Sequence, residues 1–312
     1  MNIIETTGLA GNYWTTEFSQ GWRTEVVHDV TLAVPAGSVF ALLGANGAGK
    51  TTTIKLMMNL LAPTQGEARV LGVDSRQLGP REYSKIGYIS ENQKLPDWMS
   101  VRQLLDYCRP FYPTWDAALE KKLLAQFDLP PARKLKQLSR GMRMKATLLS
   151  SLAYRPTLLV LDEPFSGLDP LVRDEFVRGV LEVSELGDWS VFISSHDIEE
   201  VERLCDWIGV LDIGRMQFVE STESLLGRFR RIEISLAGGA ARLGALPQDW
   251  LEPEQQGERV RFIASRYERD ATERACCEQF PAAAVQAFPM TLREIYVVLA
   301  RANRSKAKGA AA

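Results

Sequence analysis

The chain has 312 residues, 46% of them hydrophobic, with 37 basic against 39 acidic side chains and a formal net charge of −2. That length and apolar content suit one large domain or two ordinary ones with a proper core, and they exclude a disordered chain. The near balance of charge excludes a global field drawing the protein to nucleic acid, so any such surface would have to be local.

In chain order, the N-terminal "MNIIETTGLAGNYW" carries an early acid and no apolar h-region, so a signal peptide is not expected. No apolar stretch anywhere reaches ~18 residues, so no membrane span is expected either. "VVHDVTLAVPAGSVFALLGANGAGKTTTIKLMMNLL" reads as strand, turn, strand, glycine-rich loop and helix. Within it "VFALLG" is a continuous apolar run of strand length, the mark of a strand buried on both faces of a parallel sheet. A turn at "APTQGEA" leads into a short strand "ARVLGV", and "KIGYIS" is another strand. Residues 98–155 read as a helical insertion carrying "VRQLLDYCRPFY", "AALEKKLLAQFDL" and "GMRMKATLLSSLAY". Two more buried strands, "TLLVLDEP" and "SVFISSH", flank a helix near "LVRDEFVRGVLEVSEL". The alternation predicts an α/β fold around a parallel sheet over residues 1–225.

From 226 to 312 the pattern changes to a small α+β appendix. "RRIEISLA", "ERVRFIAS" and "AVQAFPM" read as strands and "RDATERACCEQF" and "TLREIYVVLARA" as helices, with "NRSKAKGAAA" expected to fray. The four cysteines, Cys108, Cys205, Cys276 and Cys277, lack metal-ligand spacing, and two are adjacent. Unpaired thiols in a reducing compartment are expected.

The chemistry begins at "GANGAGKT", Gly44–Ala45–Asn46–Gly47–Ala48–Gly49–Lys50–Thr51, which fits G-x-x-x-x-G-K-[ST] after a strand and before a helix that continues with Thr52. Such a loop wraps phosphates with its own N–H groups, and so needs residues without obstructing side chains. Lys50 is then placed to reach the β- and γ-phosphates of a nucleotide and the Thr51 hydroxyl to ligate Mg²⁺. "LLVLDEP" sets Asp162 at a strand end, where it supports the same ion, and beside it Glu163, where it polarises water for attack on the γ-phosphate. "VFISSH" brings His196 to a third strand tip as a γ-phosphate donor; read alone, a histidine there is more often structural.

"GANGAGKT", "LSRGM", "LLVLDEP", "SGLDP" and "SSH", in that order, resemble the ATP-binding subunit of an ATP-binding cassette (ABC) transporter over residues 1–220, most of all the stand-alone exporter-type ATPases. The resemblance implies a RecA-like P-loop NTPase core with an antiparallel β-subdomain and a helical subdomain. It further implies ATP and Mg²⁺ as ligands, a homodimer closing on ATP, and a separate transmembrane permease as partner. The location it implies is the cytoplasmic face of the membrane. "LSRGM" would face ATP held by the opposite subunit through Ser139, Arg140 and Gly141, and Asp169 of "SGLDP" would couple the two sites. Ser139 is also a good helix N-cap.

Two departures from the family pattern stand out. Its signature L-S-G-G-Q has Arg140 and Met142 at the first glycine and the glutamine. Arg140 is then a contact either to the opposite subunit's nucleotide or to the permease, while Lys145 reads as a solvated residue. The glutamine expected after "IGYIS" is Glu91, with Gln93 two places on; Glu91 is favoured as the Mg²⁺ contact, since a carboxylate also ligates that ion. For the aromatic that stacks on adenine the candidates are Trp22, Phe18 and Tyr13, with Trp22 best by spacing. Nucleic acid binding by Arg140, Arg143 and Lys145 is a poor alternative, because no aromatics interleave them. A non-transport ABC ATPase is the competing function, although no second cassette, long coiled coil or metal-binding insertion supports it.

Overall fold

The computed structural model describes residues 1–15, 22–91, 93–184, 189–236, 246–280 and 284–310, with side chains omitted at 13–15, 22–24, 182–184 and 303–310. The chain divides into two compact units, Met1–Val219 and Glu220–Ala312.

The first unit opens with two long antiparallel strands, β1 (Asn2–Thr15) and β2 (Trp22–Pro35). The buried face of β2 runs Val27, then Val30, Leu32 and Val34. The odd step after Val27 is taken by Asp29 in the left-handed region (φ 53°), a bulge that inserts one residue and restores the alternation. β3 (Val39–Leu43) is almost wholly buried and ends at the Gly44–Gly49 loop, from which α1 (Lys50–Met57) departs. α1 is shorter than the sequence predicts, because Asn59 turns left-handed (φ 55°) just beyond it.

The expected single strand "ARVLGV" is instead a hairpin, β4 (Gln65–Val70) and β5 (Val73–Asp74). Leu71 and Gly72 both take positive φ (55° and 78°), the geometry of a two-residue type I′ turn. A short α2 (Pro80–Tyr83) precedes β6 (Ile86–Ser90). The helical layer follows as α3 (Val101–Cys108), α4 (Ala117–Gln126) and α5 (Arg140–Leu152), each opened by a polar cap: Ser100, Asp116 and Ser139. β7 (Leu158–Asp162), α6 (Pro170–Ser184), β8 (Ser190–Ser195), β9 (Trp207–Asp212) and β10 (Arg215–Ser221) complete the unit.

The six-stranded sheet runs β10-β9-β3-β8-β7-β6, and its inner neighbours pair in parallel. Phe40 and Phe192 stack across β3 and β8 with centroids 5.4 Å apart. The antiparallel sheet β2-β1-β4-β5 shares its core with α1 and the parallel strands. A P-loop α/β core, an antiparallel β-subdomain and a helical subdomain are thus all present.

The second unit contains α7 (Thr222–Arg228), β11 (Arg230–Ser235), β12 (Trp250–Gln256), β13 (Arg259–Ala264), α8 (Arg269–Gln279), β14 (Ala284–Pro289) and α9 (Leu292–Ala310). Its sheet is ordered β12-β13-β11-β14, over a core of Ile232, Ile234, Trp250, Val260, Phe262, Cys276 and Phe280. β12 escapes the sequence pattern for a physical reason. Glu252 at φ 48° breaks the alternation, and Pro253 is tolerated because the strand lies at the sheet edge. The tail expected to fray is instead helical through Ala310. All four cysteines are free thiols.

Candidate functional site

Parallel strands end together, so β3, β6, β7 and β8 deliver their following residues to one edge of the sheet. Gly44 can stand at the end of β3 only without a side chain: a Cβ there would lie 2.3 Å from the Leu211 carbonyl oxygen. Gly47 and Gly49 take φ of 82° and 104°, and the space beside Gly47 is open. The loop thereby curls over the first turn of α1, whose N-cap position, Gly49, offers no side-chain cap. Two loop donors are used internally, Gly44 N–H to the Ser195 carbonyl and Ala48 N–H to that of Ala45.

Lys50 is buried, its Nζ donating to the carbonyls of Gly44 (2.6 Å) and Ala45 (3.1 Å) and lying 2.9 Å from Glu163 Oε1. Glu163 is held in the left-handed region (φ 51°), unusual for a residue with a Cβ, and its other oxygen meets His196 Nδ1 at 2.8 Å. Asp162 is buried at the end of β7, and its Oδ1 accepts from Thr51 Oγ1 (2.9 Å) and Ser194 Oγ (2.8 Å). Burial pushes the Asp162 carboxyl above the usual carboxylate range, against the pull of those two hydrogen bonds. A buried carboxylate bonded to a hydroxyl in this way is a hard oxygen donor set. It fits Mg²⁺, with Thr51 and Asp162 as the residues that would hold the ion. The open glycine loop at a helix N-terminus likewise fits a polyphosphate.

The structure therefore gathers Lys50, Thr51, Asp162, Glu163 and His196 into one cluster of hydrogen bonds and an ion pair, with Thr52 following in α1. Ser194, which sequence reasoning passed over, is the hinge of that cluster: it donates to Asp162 and accepts from the Glu163 N–H at 3.0 Å. The signal was visible as the first serine of "SSH" at the tip of a buried strand.

Glu91 meets this cluster through its backbone. Its N–H donates to the Asp162 carbonyl (3.0 Å), while its Oε1 accepts from Arg140 Nη2 (2.7 Å) and Ser166 Oγ (2.8 Å). Within the chain the partner of Arg140 is Glu91. Ser139 Oγ accepts from the Met142 N–H as the N-cap of α5. Gly141 is required by packing, since a Cβ would meet Val172 Cγ1 at 2.7 Å. Asp169 Oδ1 accepts from the Val172 N–H at 3.0 Å, opening α6. Lys145, expected in solvent, is buried and paired with Glu175. Beside this region Ser90, Glu91, Gln93, Leu138, Arg140 and Met144 line a groove of about 370 Å³. Trp22 and Tyr13 lie in β2 and β1 with their side chains outside the described set, and Phe18 lies outside the described residues.

Comparison with known proteins agrees on the family. The sequence profile of the family described as "ABC transporter" matches residues 27–166. The chain is 30% identical over 211 residues to the ABC transporter ATP-binding protein YtrB of Bacillus subtilis, covering 68% of this chain and 72% of that one. It is 32% identical to the bacitracin transport ATP-binding protein BcrA of Enterococcus faecalis, over 69% of this chain and 68% of the relative. Among solved structures, an ATP-binding subunit of an ABC transporter superposes with a TM-score of 0.61 at 27% identity, covering 72% of this chain and 91% of the other.

Proposed function

The chain belongs to the ABC transporter family, as one of its ATP-binding and ATP-hydrolysing subunits, and from that premise we propose how its own residues run the cycle. Two copies close on two ATP molecules, each held by Gly44–Thr51 of one protomer and met by Ser139–Gly141 of the other. Lys50 leaves its carbonyl partners for the phosphates, and Glu163 orients the attacking water and takes its proton. His196, seated on Glu163 Oε2, fixes that carboxylate and is the neighbour for the γ-phosphate. Mg²⁺ held by Thr51 and Asp162 would neutralise charge on the phosphate oxygens. Among the described residues no helix is long and apolar enough to cross a membrane, so we assign the crossing to a separate permease, with the chain working at its cytoplasmic face. Export is the direction we favour, on the similarity to the Nod factor export ATP-binding protein I of Cupriavidus pinatubonensis, 32% identical over 62% of this chain. The groove beside Glu91 and the exposed Trp98, Tyr107 and Phe111 are the docking surface we favour.

One observation carries this reading: the polar cluster of Lys50, Thr51, Asp162, Glu163 and His196 directly behind the glycine loop. Glu163→Gln should bind ATP, stop turnover and accumulate as a closed dimer in light scattering. A variant that stays monomeric with Mg²⁺-ATP would contradict the cycle.

A further inference from the structure

The two departures from the family pattern, Glu91 and Arg140, are 49 residues apart in sequence and hydrogen-bonded to each other. We propose that they form a single positioning pair, a charged tie that sets the signature turn Ser139–Gly141 relative to the catalytic strand end. The inference rests on the ATPase reading above and deepens it.

The contacts close a ring. Glu91 is anchored by its N–H to the Asp162 carbonyl, next to the catalytic Glu163. Its carboxylate holds Arg140, the first residue of α5, and Ser166 in the loop after Glu163. The Arg140 guanidinium covers Gly167 so closely that a Cβ there would sit 2.5 Å from Nη1. Gly167 (φ 64°) leads to Asp169, which binds the Val172 N–H, and Val172 packs on Gly141. A displacement at the Asp162–Glu163 strand end thus reaches the signature turn by two routes, through Glu91–Arg140 and through Ser166–Val172.

Charge explains why the two residues go together. Arg140→Gly alone would leave the Glu91 carboxylate without its cation, bonded by the Ser166 hydroxyl. With glutamine at 91 no such charge exists, and glycine at 140 becomes tolerable.

The test is a double-substitution cycle on the full-length chain with Mg²⁺-ATP. Arg140→Gly should lower kcat about tenfold with KM for ATP nearly unchanged, a smaller loss than the roughly hundredfold that a full ångström of misplacement can cost. Adding Glu91→Gln to the same chain should restore kcat to within about threefold of the parent, a coupling seen only between interacting sites. Independently of turnover, amide exchange at Met142–Met144 should quicken in Arg140→Gly and slow again in the double variant. Parent-like turnover and exchange in Arg140→Gly, or a double variant no better than the single, would overturn the pair. So would a rise above about fivefold in half-saturating Mg²⁺ for Glu91→Ala alone, which would put the carboxylate on the metal. If the parent itself hydrolysed no ATP, the functional reading would fail, while the exchange measurement would still decide the pair.

Discussion

The strand ends of the first unit and the charged sheet face of the second use ionic groups in opposite ways. At the strand ends Lys50, Asp162 and Glu163 are 5%, 2% and 13% exposed and converge on one point, with His196 and Thr51 closing the set. In the second unit Arg231 pairs with Glu294, Arg261 with Glu233 and Arg301 with Glu252, each pair half-exposed beside a cavity of about 690 Å³. Desolvating charge is expensive, so a buried convergent cluster is a poor way to hold a fold together and a good way to meet a charged ligand. Paired charges in water cost little and give little.

Substitutions can break or sharpen that contrast. The largest effect belongs to Lys50→Ala, which removes the cation from the cluster; ATP turnover should fall by at least about a hundredfold, the scale set by losing one preorganised charge contact. Gly44→Ala comes next, because the obstacle is the Leu211 backbone carbonyl and not a movable side chain. Thermal or chemical denaturation should show a loss of about 2–3 kcal/mol, typical of overpacking.

Glu120 is the intermediate case. Buried in α4, it accepts from Arg102, Arg109 and the Trp115 indole, which together outweigh its desolvation and hold its carboxyl below the ordinary value. Glu120→Gln should cost about 2 kcal/mol, as for hydrogen bonds to a charged group. Because the folded value is lowered, this carboxylate's stabilisation is complete above the ordinary glutamate value of roughly 4.3 and is lost as pH falls through the folded one. The difference between parent and variant in a denaturation series should shrink over that acid window. Smallest of all, Arg231→Ala should cost less than about 1 kcal/mol, and less still in high salt. A loss at Arg231 matching that at Glu120 would erase the distinction between buried and exposed charge.

Much of the fold was legible because it rests on periodicity: the buried strands β3, β7 and β8, the helical layer with its cap at Ser139, and α8 and the start of α9 in the second unit. Where the backbone leaves its period, the sequence misled. Glu252 turns left-handed inside β12 and hides that strand, and Leu71–Gly72 fold one apparent strand into a hairpin. Within the site, the residues of the glycine loop and the two strand-end acids were legible from local motif. The partner of Arg140 was not, since it stands 49 residues away, and Ser194 was passed over although "SSH" set it at a strand tip.

The sequence by itself determined the phosphate-type loop, the acids that follow a buried strand and the order of the motifs, because each is a local pattern of residue type and spacing. Only the tertiary structure decided that Lys50 rests on Glu163, that Ser194 joins Asp162 to the Glu163 backbone, and that Glu91 holds Arg140 and Ser166. Those contacts join residues far apart along the chain. They exist because parallel strands end at one edge and because α5 packs against α6 closely enough to require glycine at 141, which places Arg140 over Gly167.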